Sequence, residues 1–217
     1  MSAEIRVRGE AELRCLPDRA SLRIIVEAEA ESQSQAFALA SRSVAAVDAV
    51  CDRFAAALDR RTTAGVIVRP KTRWRKGETV RTGWVAARAT VLEVTDFAQL
   101  GHLVAELTTA GAAAVHGPAW EVDRANPAHE QARRAAALDA QRRARAYAEA
   151  VGLHLGALRW LAEPGLRPDG SGPAPGAAAP RFFYAAGAPP EEPMELAPDE
   201  VTIQARLDAC FELIDRS

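Results

Sequence analysis

Apolar residues recur along the chain at two spacings, and the spacing assigns each stretch to an element. Ile5 and Val7 alternate with Arg6 and Arg8. Ala20, Leu22, Ile24, Val26 and Ala28 alternate with Ser21, Arg23, Glu27 and Glu29. A period of two predicts strands with one face on a core and one in water. Ile25 interrupts the polar face and predicts partial cover there. Gly9 and Pro17-Asp18 read as punctuation between the strands, with Asp18 in an Asx-type turn role. From Phe37 the step becomes three and four, through Ala40, Val44, Val47, Cys51, Phe54 and Leu58. This predicts a long helix packed on a sheet, opened by the capping box Ser32-x-x-Gln35 and ending near Arg60.

The alternation returns over 66–74 and 80–94, which predicts a β-hairpin turning at Gly77. Val80, Thr82, Trp84 and Ala86 fall on one face of its second strand by simple alternation. Thr95-Asp96 caps a further helix that buries Phe97, Leu100, Leu103, Val104 and Leu107 and stops at Gly111. A short strand follows over 115–122. Asn126-Pro127 then opens a long Ala- and Arg-rich helix closed by Gly152. Its apolar stripe is Ala137, Ala140, Ala144, Tyr147, Ala148 and Val151, so the helix can lie close to what it covers. Arg134, Asp139, Arg142, Arg145 and Glu149 form the solvated side, with Asp139–Arg143 as an (i, i+4) pair. Leu158, Trp160 and Ala162 predict a strand, and the alternation from Val201 to Phe211 predicts a closing one.

The order is therefore β-β-α-β-β-α-β-α-β-β. It predicts an α+β fold, a mostly antiparallel sheet with helices packed on one face, in a single domain over 1–217. The stretch 164–198 is rich in Pro and Gly and reads as an excursion from that domain. Within it, Phe182, Phe183 and Tyr184 form an aromatic run that either docks on its own domain or serves as a hook for another molecule.

Composition narrows the functional classes. Lys and Arg number 27 against 29 Asp and Glu, a formal net charge of −2, so no global field draws the chain to nucleic acid or anionic membrane. The basic residues are nearly all Arg; Lys71 and Lys76 are the two lysines. Three widely spaced cysteines, Cys15, Cys51 and Cys210, fit free thiols better than a disulfide framework or zinc site. His102, His116, His129 and His154 have no partner at metal-ligand spacing. The chain has no Gly-x-Ser-x-Gly elbow and no phosphate-binding Gly loop in a strand–loop–helix unit. It lacks an apolar signal region and any run long enough to span a bilayer. A cytoplasmic, non-enzymatic protein without cofactor or metal is the expectation.

One local anomaly stands out. Arg69, Lys71, Arg73 and Arg75 alternate along the first hairpin strand, with Lys76 and Arg81 at the tip and Trp74 and Trp84 close in sequence. The plain reading is a solvated arm. An assembly contact is the functional reading that ranks next, because Glu191, Glu192, Glu195, Asp199 and Glu200 supply an acidic stretch of opposite sign. An anion or nucleic-acid patch ranks below it, since the chain as a whole is not basic.

Three stretches together resemble the SIMPL-domain family, named after a signalling molecule that associates with a pelle-like kinase. They are Ile5-Arg6-Val7-Arg8-Gly9 leading to Pro17-Asp18-x-Ala20; the run from Ala136 to Val151-Gly152-Leu153-x-Leu155-Gly156, with Leu158, Trp160 and Glu163; and Met194-x-Leu196-x-Pro198-x-Glu200-Val201. Bacterial members are often described as periplasmic immunogenic or oxidative-stress-defence proteins. The resemblance implies an α+β fold with ring-like or higher oligomers in some members, and it brings no catalytic residues. Two departures are visible: Ala11 stands where the family often has a second Gly, and no export signal precedes the first strand. The resulting expectation is a protein acting by self-assembly or by binding a protein partner, in stress response or signalling. The alternative is a small-molecule-binding module with its pocket under the Pro-rich loop. A homo-oligomer is expected; nucleic acid and membrane are not.

Overall fold

The computed structural model describes residues 3–75, 77–166 and 196–215. Its strands are β1 (Ala3–Cys15), β2 (Arg19–Ala30), β3 (Leu58–Thr63), β4 (Ile67–Arg75), β5 (Glu78–Val94), β6 (Ala114–Glu121), β7 (Leu153–Ala162) and β8 (Val201–Asp215). The helices are α1 (Gln33–Arg53), α2 (Leu100–Thr109) and α3 (Pro127–Ala150). All strand pairings are antiparallel, and the α+β class holds. The strands fall in two sheets, β1-β8-β7 and β3-β5-β2-β6 with β4 also on β5. The chain divides into two compact units. One comprises 1–15, 124–187 and 200–217, the other 16–123 and 188–199.

The first unit pairs the ends of the chain. β1 and β8 match residue for residue from Ala3↔Leu213 to Cys15↔Val201, so Gly9 is mid-strand and not a break. Ile5, Val7 and Ala11 share one face with Leu207, Ala209 and Phe211, and α3 packs there. Asn126 caps α3 by accepting from Ala128 N at 2.9 Å, Pro127 takes the first turn, and Gly152 follows with φ +81°. The helix buries Ala128, Ala132, Ala136, Ala140, Ala144 and Ala148, a row at steps of four. Ala140 and Ala144 belong to the expected stripe; Tyr147 and Val151 do not and are 61% and 67% exposed. Space decides this. A Cβ on Gly9 would stand 2.1 Å from Ala136 O and 2.8 Å from Ala140 N. The helix backbone rests on the strand backbone, and only methyl groups fit along the seam.

Asp139 is not the solvated residue its helical position suggested. Its Oδ2 accepts the Glu10 amide at 3.1 Å, and Arg143 and Arg142 hold the carboxylate at 2.7 and 3.2 Å. That occupies an outward N–H of edge strand β1, where another chain would otherwise pair. The Glu10 amide, followed by Arg143 and Arg142, outweighs burial and draws the Asp139 carboxyl below its ordinary range. On the opposite sheet face Arg8 Nε meets the buried Asp208 at 2.8 Å, and Arg6 lies 5.9 Å from the centre of the Trp160 ring. Cys210 is buried between these groups, and burial, then Glu4, pushes its thiol up.

The second unit is built around β5. Ala20, Leu22, Ile24 and Val26 of β2 and Leu92 and Val94 of β5 form one apolar surface with Val47 and Cys51 of α1 and Leu100, Leu103 and Leu107 of α2. Ser32 caps α1 by accepting from Gln35 N, as the capping box requires. The helix stops at Arg53, and Leu58 opens the strand β3 that the apolar periodicity had merged with it. Phe37 is half exposed because Ala36 and Ala40 make the contact with Ala86. Asp48 ties α1 to the sheet through Arg61 and Arg88, the latter at 3.1 Å. Asp18 Oδ1 accepts from Asp123 N at 2.7 Å, joining the start of β2 to the chain beyond β6.

Two outcomes follow from the seam. Gly9→Ala should destabilise the protein by about 1–3 kcal/mol in urea unfolding, the cost of overpacking a site that cannot yield. Gly65→Ala, where a Cβ meets nothing within 4 Å, should stay within about 0.5 kcal/mol. Equal effects would contradict the close approach. Asp139→Ala should cost about 1 kcal/mol at neutral pH through the unpaired amide. Because the folded carboxyl titrates below its unfolded value, the wild-type advantage should be full above the unfolded pKa and disappear as pH falls through the folded one. An advantage that grows on acidification would refute the assignment.

Candidate functional site

β2 pairs with β5 from Ala20↔Val94 to Ala30↔Trp84 and then ends. β5 extends past it as 78–83, paired among the described residues with β4 alone, and the two strands form an arm turning at Gly77 with φ +86°. Arg69, Arg73, Arg75 and Arg81 are exposed along it, and Trp74 is 70% exposed. Lys76, Phe182, Phe183 and Tyr184 lie outside the described residues.

The register sorts these side chains onto two faces. Arg69, Lys71, Arg73 and Arg75 sit opposite Val85, Gly83, Val80 and Glu78. Directly opposed residues share a face, so the four cations form one row, as their alternation predicts. Pro70, Thr72 and Trp74 sit opposite Trp84, Arg81 and Thr79 on the reverse face. Simple alternation placed Val80 with Trp84. A bulge shifts the register between Lys71 and Thr72 and sets one extra residue, Thr82, on β5. Val80 thereby joins the cation row, while Arg81 turns to the tryptophan side. Thr82 Oγ1 donates to Lys71 O at 3.3 Å across the bulge.

The charges differ in what they already bind. Lys71 forms an ion pair with Glu29 of β2, bracing the root of the arm. Arg81 lies 5.5 Å from the centre of the Trp84 ring, a cation–π contact. Trp84 itself packs with Ala28, Ala30, Val68 and Ala86 and is structural. The row Arg69, Arg73 and Arg75 remains exposed, with Glu78 on the same face and Glu29 beside it on β2. The tryptophans lie on the other side of the arm. Phosphate contacts with base stacking need cations and rings on one surface; among the described arm cations Arg81 shares the side of Trp74 and Trp84, and the row Arg69, Arg73 and Arg75 faces away.

Two shallow clefts flank the root. One, of about 480 Å³, is lined by Glu29, Glu31, Lys71, Arg73, Gly83 and Trp84. The other, of about 760 Å³, lies between the arm and the start of α1, with Ser32, Ser34, Phe37, Val68, Arg81 and Trp84. Among the described residues no group of three or more His, Cys, Asp or Glu could hold a metal ion. Nor is any helix among them long and apolar enough to cross a membrane. Cys51 is buried, which pushes its thiol up, and Cys15 is half-buried. The small-molecule alternative belongs to 164–198, most of which lies outside the described residues.

The SIMPL family model, described as "Protein of unknown function (DUF541)", matches residues 5–211. The chain belongs to the SIMPL family. The match runs through both units and includes β5, the arm and α3. No curated protein matches the chain.

The two tryptophans of this SIMPL protein separate structure from surface. Trp84→Ala should cost about 3 kcal/mol or more of stability, as large aromatic truncations in packed sites do. Trp74→Ala should fall within about 0.5 kcal/mol. Urea unfolding followed by circular dichroism checks both, and a destabilising Trp74→Ala would mean that the outer arm is part of the core.

Proposed function

We propose that this SIMPL protein acts without catalysing a reaction, by self-assembly or by binding a protein partner, and that the β4–β5 arm is its contact element. The observation that carries this is the exposed row Arg69, Arg73 and Arg75 on one face of a two-stranded arm. Like charges two residues apart on a strand stand about 6.6 Å from each other and repel by roughly 0.6 kcal/mol per neighbouring pair in water before screening. A two-stranded ribbon is also marginal by itself, so an arm of this length gains from a surface to lie on. The row Arg69, Arg73 and Arg75 faces away from the tryptophans, with Arg81 the described cation beside them, and this favours a protein surface over a nucleic acid. A role in stress response or signalling extends this reading by family resemblance alone.

Arg73→Glu with Arg75→Glu should lower the mass measured by light scattering, or abolish capture of the partner, while the far-ultraviolet circular dichroism stays that of the wild type. An unchanged mass together with unchanged capture would count against the arm. Titration with a fluorescent single-stranded oligonucleotide should give no salt-sensitive binding; a steep salt dependence would restore the phosphate reading.

A further inference from the structure

We infer that the open side of β5 along 78–83 takes an extended segment of the partner protein as an added strand, one in which acidic and apolar residues alternate. This rests on the proposed contact role of the arm and names how, and by what chemistry, the partner is recognised.

The lane is vacated by β2. Its last pair with β5 is Ala30↔Trp84, and the chain then bends at 31–32 into α1. Past that point β5 continues over 78–83, about 20 Å, with β4 on one side. On the other side, among the described residues, no strand pairs with it. Such an edge presents main-chain N–H and C=O groups to an incoming strand. The bulge at Thr82 lies where the lane begins. Beyond it, 78–81 oppose Arg75, Trp74, Arg73 and Thr72 without a further shift, so this part of the edge is regular. The outer edge of β4 is interrupted by Pro70, which has no N–H to offer.

β2 itself shows what the lane accepts. At its end Glu27 and Glu29 alternate with Ala28 and Ala30. Lys71 of β4 crosses β5 at Gly83 to form its ion pair with Glu29. Gly83 has no side chain to obstruct the crossing, and a Cβ there would stand 2.9 Å from Ala30 O. The next cations of the row, Arg73 and Arg75, stand opposite Val80 and Glu78, beyond the end of β2. Acidic side chains on an added strand continue the Lys71–Glu29 pattern there. On this face Arg73 and Arg75 outnumber Glu78, and charge of opposite sign guides encounter and fixes register.

The other face calls for apolar side chains. Arg81 and Trp84 turn to it. Phe37 of α1 is 49% exposed beside them, although Ala36 and Ala40 already make the contact between helix and sheet. These three residues and Val68 line the cleft of about 760 Å³, while the cleft of about 480 Å³ with Lys71, Arg73 and Gly83 lies on the cation side. A hollow therefore flanks the vacated lane on each face. Successive side chains of a strand point to opposite faces, so alternating acidic and apolar residues fill both hollows at once.

The test uses the full-length chain and a fluorescein-labelled hexapeptide in which Glu alternates with Phe, read by fluorescence anisotropy. Two further probes carry N-methyl groups on the Glu amides or on the Phe amides. The parent probe should bind, and its affinity should fall as salt rises. One methylated probe should bind about tenfold more weakly and the other like the parent, because only alternate residues of an added strand turn their main-chain groups to β5. Arg73→Glu with Arg75→Glu should weaken the parent about tenfold, and Phe37→Ala about threefold. A parent probe that does not bind would overturn the inference, as would equal binding of all three probes or an affinity unmoved by the two Arg reversals. Dissociation of the chain's own assemblies by the parent probe, seen in sedimentation velocity, would give the lane to a second copy and overturn the choice of a partner protein. None of these results removes the contact role of the arm, which fails only if light-scattering mass and partner capture both survive the Arg reversals.

Discussion

β5 is longer than the strand it is built against, and that mismatch organises the second unit. Along 84–94 it is paired with β2, and its sheet closes over an apolar surface from α1 and α2. Along 78–83 it has β4 on one side and, among the described residues, no strand on the other. Buried pairing holds one half in place, and the other half projects from it. The Lys71–Glu29 ion pair and the packed Trp84 brace the junction. A braced root with an exposed, charged end is what the proposed contact role rests on, and the bulge at Thr82 decides which side chains that end displays.

The first unit solves a different problem, how to cover a three-stranded sheet with one helix. Alanines at steps of four let the backbone of α3 descend onto Gly9, and the approach is too close for anything larger. The same proximity lets Asp139 reach the outward amide of Glu10. Packing and edge protection thus come from one placement. On the other face, cross-strand charges such as Arg8 and Asp208 are satisfied within the sheet. The arm contrasts with this arrangement, because among the described residues Arg69, Arg73 and Arg75 form no ion pair.

Much of this was legible in the periodicities. Both helix caps at Ser32 and Asn126, the turn at Gly77, the buried alternation of β2 and the closeness signalled by the alanines follow from local chemistry. The family was legible too, from Ile5–Gly9, Ala136–Gly156 and Met194–Val201 taken together. What stayed hidden is non-local. Alternation says which face of a strand is buried but not which strand lies beside it, so two sheets read as one. Leu58 kept the helical step and concealed β3. Gly9 looked like a break because its reason, the backbone of a helix more than a hundred residues away, leaves no local mark. The bulge at Thr82 is invisible to counting by twos, which is why Val80 was assigned to the tryptophan side. The cation row survived because no register shift falls within β4 itself.

Hydrogen exchange of the full-length chain, followed by mass spectrometry at low and high protein concentration, tests the central claim most directly. Amides of the arm should gain protection as concentration rises, while those of β2 and of β5 beyond Trp84 stay as they are. Association that protects other segments and leaves 67–83 exchanging as freely as in the dilute protein would contradict the account.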